Sequence, residues 1–286
     1  MPLGSQLEKL SILDVHELFD YFENLLGKEY LKSIYKMSKN SGKPNFWYIY
    51  LENYKKWKRE SNRINDIPRY PKILDFIRHI YTIKIYQEDW EEPNAKREVI
   101  NRLKNTSKVE SLLFEFYSGS NFLLQGLEVH WLPNIGQEKV ADLKVIAKNN
   151  GQFLIECTYR KPSFARVLMN QELVDDLLNS AKKKLDGKYD YACPRLVVVK
   201  VPEEIDWSSE YIKGRIDITF TNWLHQKKLN SVNAILFMGN APLRRILVGE
   251  SALKQVAYEP EQITYIHRNP EAKYPMPPGI ELASKL

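Results

Sequence analysis

Ala141-Asp142-Leu143-Lys144-Val145-Ile146-Ala147, the triplet Asn149-Asn150-Gly151, and Phe153-Leu154-Ile155-Glu156-Cys157-Thr158 together decide the fold. Two strand-forming runs flank a turn whose Asn and Gly tolerate positive φ, the composition of a β-hairpin. The runs are therefore expected to be antiparallel neighbours. Residues two apart on a strand share a face. A carboxylate directly after Phe153-Leu154-Ile155 is costly to bury unless it is paired or binds a cation. Asp142 opens one strand and Glu156 lies inside the other, so the hairpin allows the two to converge. Two hard oxygen donors, completed by water and phosphate oxygens, suit Mg²⁺ or Mn²⁺. Such an ion polarises a phosphate, lowers the pKa of an attacking water and stabilises the leaving oxygen.

Outward from the hairpin, Val109, Leu112, Leu113, Phe116 and Tyr117 recur at helical spacing, which predicts a helix over 107–124 that stops at Gly126. A strand-like run at 127–132 precedes the hairpin. After it come a helix over 168–185, a β-branched strand at 196–201, a helix over 208–228 and a strand at 232–238. The order is helix, three strands, helix, strand, helix, strand, an α/β pattern. The first part of the chain reads as helical instead. Val15, Leu18, Phe19, Phe22, Leu25 and Leu26 share one helix face, with Asp14 as N-cap and Glu17 completing a capping box. Breaks are expected at 38–44 and around Pro68 and Pro71, and a polar linker at 88–93. The division is thus a helical N-terminal region, 1–93, and an α/β domain, 94–286, ending in a proline-rich tail. That tail, from Tyr265 through Pro278, is expected to resist regular structure and to pack as an extended segment.

The helix, the hairpin with its Asp, the strand with its Glu, and the helix and strand that follow resemble the core of the PD-(D/E)XK nuclease superfamily. The matching stretch is 109–201, with Phe114-Glu115 on the first helix, Gly126, Ala141-Asp142-Leu143 and Ile155-Glu156-Cys157-Thr158. The resemblance implies a restriction-endonuclease-like mixed sheet flanked by helices. It also implies a Mg²⁺- or Mn²⁺-dependent nuclease acting on nucleic acid, DNA first, in a restriction, defence or mobile-element setting. By position Asp142 and Glu156 are its metal ligands, joined by Glu115, with Glu110 as the competing helix acid. Thr158 departs from the pattern, because it stands where the family carries the lysine that orients or activates the water. Lys144, Arg160 or Lys161 could supply the charge, Lys161 through a bulge; so could Lys182 of the next helix. Alternatively, Thr158 itself positions a water, or the fold is catalytically inactive and serves as a nucleic-acid-binding or assembly module. A second copy of the chain and a partner protein of a defence complex are further expected partners.

Plainer readings stand beside these. Asp142 alone is an ordinary strand-entry residue, Glu115 an ordinary exposed helix acid, and Cys157 a core thiol facing away from Glu156. The aromatic and basic stretch from Trp47 to Arg59 could stack bases; burial of its rings in the domain is preferred. The 286 residues carry 42 Lys and Arg against 36 Asp and Glu, a formal charge of +6 that favours an acidic partner. No apolar run approaches the roughly 20 residues of a membrane-spanning helix. Met1-Pro2-Leu3-Gly4-Ser5 has no secretory pattern, and the two cysteines form neither a disulfide framework nor a metal motif, so a cytoplasmic location is expected.

Overall fold

Buried aromatic rings organise the first part of the chain. The structure, a computed structural model, describes residues 12–40, 45–63, 69–123, 125–133, 141–159, 170–185, 192–201, 209–227, 231–239, 262–280 and 282. Its N-terminal helices are α1 (Ile12–Leu26), α2 (Lys28–Asn40), α3 (Tyr48–Glu60), α4 (Pro71–Ile85), α5 (Pro93–Lys104) and α6 (Val109–Leu123). Gly27, at φ +86°, makes the left-handed step between α1 and α2 that a side chain would strain. The chain divides into two compact units, and the division falls inside α6 between Phe116 and Tyr117.

In the first unit Trp47 has no solvent exposure. Its ring centroid lies 4.7 Å from that of Phe22 and 4.8 Å from that of Phe46, and its Nε1 donates to the Leu103 carbonyl at 2.8 Å. Tyr50, Tyr54 and Trp57 are buried as well, so these rings are core, while Lys55, Lys56, Lys58 and Arg59 face solvent. The expected linker at 88–93 is structured instead. A 3₁₀ turn, Gln87–Trp90, buries Trp90 and leads into α5, whose first amides, Asn94 and Ala95, are capped by Glu92 Oε2. The buried stripe of α5 is only Ala95, Val99 and Leu103, too sparse to announce a helix by periodicity.

His79 is enclosed by Phe46, Trp47 and Tyr50, with its Nε2 3.2 Å from Tyr50 Oη. Burial, reinforced by Arg78 and Lys72, pushes its pKa down to about 3. The folded state thus binds fewer protons than the unfolded state below the ordinary value of 6.5. The corresponding stability is complete above about pH 6.5 and falls as the pH drops toward 3, with about 2 kcal/mol lost by pH 5. Urea unfolding at pH 7 and pH 5 checks this. The difference between the two pH values should shrink by about that amount in His79→Gln, and an unchanged difference would remove His79 as its source.

The second unit is built on a mixed six-stranded sheet of order β1-β2-β3-β4-β5-β6: β1 (Glu128–Trp131), β2 (Leu143–Ile146), β3 (Gln152–Thr158), β4 (Arg195–Lys200), β5 (Val232–Gly239) and β6 (Gln262–Arg268). The first three form an antiparallel meander. In its hairpin Asn150 sits at φ 61°, Ala147 N donates to the Gly151 carbonyl and Gly151 N donates to Asn149 Oδ1. Helix α7 (Asn170–Leu185) connects β3 to β4 and α8 (Glu210–Lys227) connects β4 to β5. Both pairs are parallel, as crossover connections through a helix require. On one face Val197, Val199, Val201, Ile235 and Phe237 pack against Leu177, Leu178 and Ala181 of α7 and Ile212, Ile216, Phe220 and Trp223 of α8. On the other, Phe122 of α6 meets Phe153 at 5.3 Å between ring centroids.

The tail departs from expectation at its start. Tyr265, Ile266, His267 and Arg268 belong to β6, antiparallel to β5, because the prolines that deny ladder donors begin only at Pro270. Residues 271–280 are non-helical and tied to the sheet. Asn233 Nδ2 donates to the Tyr274 carbonyl at 2.7 Å, and Pro277 packs so closely that a Cβ on Gly151 would meet it at 3.0 Å.

Candidate functional site

The register of the hairpin places the two acids. Leu143 pairs with Ile155, which sets Asp142 beside Glu156. Asp142 N donates to the Ile155 carbonyl at 3.0 Å, and its own carbonyl accepts from Leu132 N at 2.9 Å. The Asp142 carboxylate then takes over the ladder, with Oδ2 accepting from Cys157 N at 2.7 Å. Asp142 and Glu156 both have no solvent exposure.

Glu156 shares a face of β3 with Leu154 and Thr158, which pair with Arg195 and Val199 of β4. Arg195 is therefore its diagonal neighbour on the same face. Glu156 Oε1 lies 3.1 Å from Arg195 Nη2, and neither side chain is exposed. Arg195 N donates to Asn233 Oδ1 at 3.0 Å, which fixes the start of β4. Two opposite charges are thus held under the layer of α7 and α8, where each offsets the desolvation of the other. Arg195 is not among the sequence candidates because the β-branched run begins only at Leu196. The signal available was the one that singled out Glu156: an ionic residue running straight into the apolar strand Leu196-Val197-Val198-Val199.

The other candidates differ in where they lie. Thr158 is 8% exposed and lies on the Glu156 face. Lys144, opposite Leu154, is half-buried on that face too, and Lys182 is half-buried on α7. Arg160 and Lys161 lie outside the described residues. Glu115 belongs to the first unit and is buried rather than an exposed helix acid. Arg102 grips its carboxylate with both nitrogens, Nη2 to Oε1 at 2.6 Å and Nη1 to Oε2 at 2.8 Å. Such a fork occupies both oxygens with strong charge-assisted bonds. Cys157 is a buried thiol on the face opposite Glu156, as expected. Away from this cluster, Asp217 of α8 accepts from Tyr265 Oη at 2.6 Å and lies 2.7 Å from His267 Nδ1, fastening β6 to the helix layer.

Among the described residues no three His, Cys, Asp or Glu side chains are grouped to hold a metal ion, and no helix is long and apolar enough to cross a membrane. No protein-family model matches the chain, and no curated protein matches it in sequence. The donor chemistry of Asp142 and Glu156 nevertheless fits one class of ion. Mg²⁺ keeps most of its water and commonly takes only one or two carboxylates, the rest coming from substrate phosphate. A carboxylate has about four acceptor sites, so the bond from Cys157 N does not exhaust Asp142.

Proposed function

We propose that the second unit is a restriction-endonuclease-like domain of the PD-(D/E)XK type and that the protein is a divalent-metal-dependent nuclease hydrolysing phosphodiester bonds, in DNA first. The observation that carries this reading is the side-by-side setting of Asp142 and Glu156 at the β2–β3 hairpin, in a sheet built in the order helix, three strands, helix, strand. Asp142 and Glu156 would hold Mg²⁺ or Mn²⁺. The ion, when bound, supplies Lewis-acid polarisation of the phosphate and a lowered pKa for the attacking water. The chain's part is positional. The backbone bonds of Asp142 to Leu132 and Ile155 fix one carboxylate, and the interior of β3 fixes the other. Thr158, on the Glu156 face, offers a hydroxyl that can orient a water but carries no charge. Arg195 brings the positive charge that Thr158 lacks. The excess of basic residues favours a polyanionic substrate.

A second reading has an observation of its own. The Glu156–Arg195 pair is sealed from solvent and self-neutralising, which suits a catalytically silent nucleic-acid-binding module on the same fold. Plasmid and single-stranded DNA, incubated with Mg²⁺, with Mn²⁺ and with chelator, separate the two. The nuclease reading expects cleavage with metal, none with chelator, and a loss of about a thousandfold or more in Asp142→Asn. The silent module expects binding without cleavage, weakening steeply across a salt series as counterions are released. A protein that neither cuts nor binds either substrate overturns both.

A further inference from the structure

The Glu156–Arg195 pair has a consequence for any cation that enters the site. We infer that Arg195 and a divalent cation are alternative counter-charges for Glu156, so that Arg195 sets the metal affinity of the site and couples metal binding to a phosphate that draws the guanidinium away. The inference rests on the metal reading of Asp142 and Glu156 given above.

The two side chains are 3.1 Å apart with no solvent exposure, so water does not screen them. A guanidinium does not lose its charge under any physiological condition. A divalent ion approaching Glu156 must therefore displace Arg195 or endure its repulsion at short range in a poorly screened interior. Displacement also takes the guanidinium away from the Glu156 carboxylate, a loss that a second anion would offset. The phosphodiester supplies one: its oxygens match the planar fork of Arg, whereas lysine would meet them as a point charge. The anchor of Arg195 stays in place throughout, since its amide is held by Asn233 Oδ1 and only the side chain needs to move. Before substrate arrives, Arg195 keeps Glu156 neutralised and metal affinity low. With phosphate present, guanidinium to phosphate and metal to Glu156 become the favourable exchange.

Removing the competitor should reveal it. Mn²⁺ is titrated into the parent, Arg195→Gln, Arg195→Lys and the double variant Glu156→Gln/Arg195→Gln, read by the electron paramagnetic resonance signal of unbound Mn²⁺ and by Tm. Arg195→Gln should bind Mn²⁺ at least about tenfold more tightly than the parent, because a like charge has left the site. Without metal its Tm should fall by about 10 °C, the mark of a buried carboxylate that has lost its partner. Saturating Mn²⁺ should restore more than half of that fall, since the ion binds the folded state. Arg195→Lys keeps a positive charge and should bind Mn²⁺ much as the parent does. The double variant should show neither the tight binding nor the metal-dependent recovery. Should Arg195→Gln be unfolded without metal, its refolding on addition of Mn²⁺ supports the inference and a failure to refold overturns it. If the parent binds Mn²⁺ and Arg195→Gln binds it no more tightly, the exchange is wrong while the metal reading stands. If neither protein binds Mn²⁺ or gains Tm from it, both are wrong.

Discussion

Glu156→Gln should lower the stability of the protein by about 3–5 kcal/mol, the usual cost of stripping one partner from a buried ion pair. From the sequence alone this substitution looks benign for the fold, since Gln is nearly isosteric and β3 should pack as before. The structure reverses that expectation. The Arg195 guanidinium sits 3.1 Å from Glu156 Oε1 with no access to water, and a neutral amide leaves its charge buried against a dipole. The companion experiment removes both charges. Glu156→Gln/Arg195→Gln should recover most of the loss, because replacing a whole buried pair is far cheaper than breaking it. Urea denaturation in chelator measures both. A single variant within about 1 kcal/mol of the parent would mean that the pair contributes little. Activity lost in Glu156→Gln is therefore ambiguous unless its folding is measured alongside. Asp142→Asn is the cleaner probe of metal chemistry, because the amide oxygen of Asn can still accept the bond from Cys157 N.

Trp47→Ala should cost about 5 kcal/mol, enough on its own to unfold a unit of ordinary stability. The indole has no solvent exposure, and its removal opens a cavity between the rings of Phe22 and Phe46. It also strips the Leu103 carbonyl of the donor that links α3 to α5, a further penalty of about 1 kcal/mol or more. Trp47→Phe separates the two contributions. It keeps a ring in the core but loses the N–H, and should cost about 1–2 kcal/mol. Were Trp47 instead a surface platform for stacking bases, both variants would weaken DNA binding and leave the denaturation midpoint unchanged. A near-parental midpoint for Trp47→Ala would contradict its place in the core.

What the sequence determined by itself was most of what local periodicity and turn chemistry carry, although α1 begins at Ile12, two residues before the expected N-cap Asp14. Asn149-Asn150-Gly151 specified the hairpin, and Asn150 does take the left-handed conformation. The apolar spacing from Val109 and the β-branched run before Val201 specified helix and strand, and with them the element order of the α/β unit as far as β5. The burial of Trp47, Tyr50, Tyr54 and Trp57 was likewise legible in their spacing. What only the tertiary structure decided was which charges meet. Glu115 reads from the sequence as a metal ligand or an exposed helix acid, and α5 instead brings Arg102 against it. Arg195 looked like the residue before a strand until the parallel register of β3 and β4 placed it diagonally beside Glu156. The start of the tail looked irregular until β5 offered an edge on which β6 could pair. The physical reason is the same in each case. Helices and turns are encoded by neighbours a few residues apart, whereas the partner of a buried charge or of a sheet edge is set by register between segments far apart in the chain. Any nearby anion or cation of the right reach satisfies the charge equally well, so nothing in the local sequence announces which one it will be.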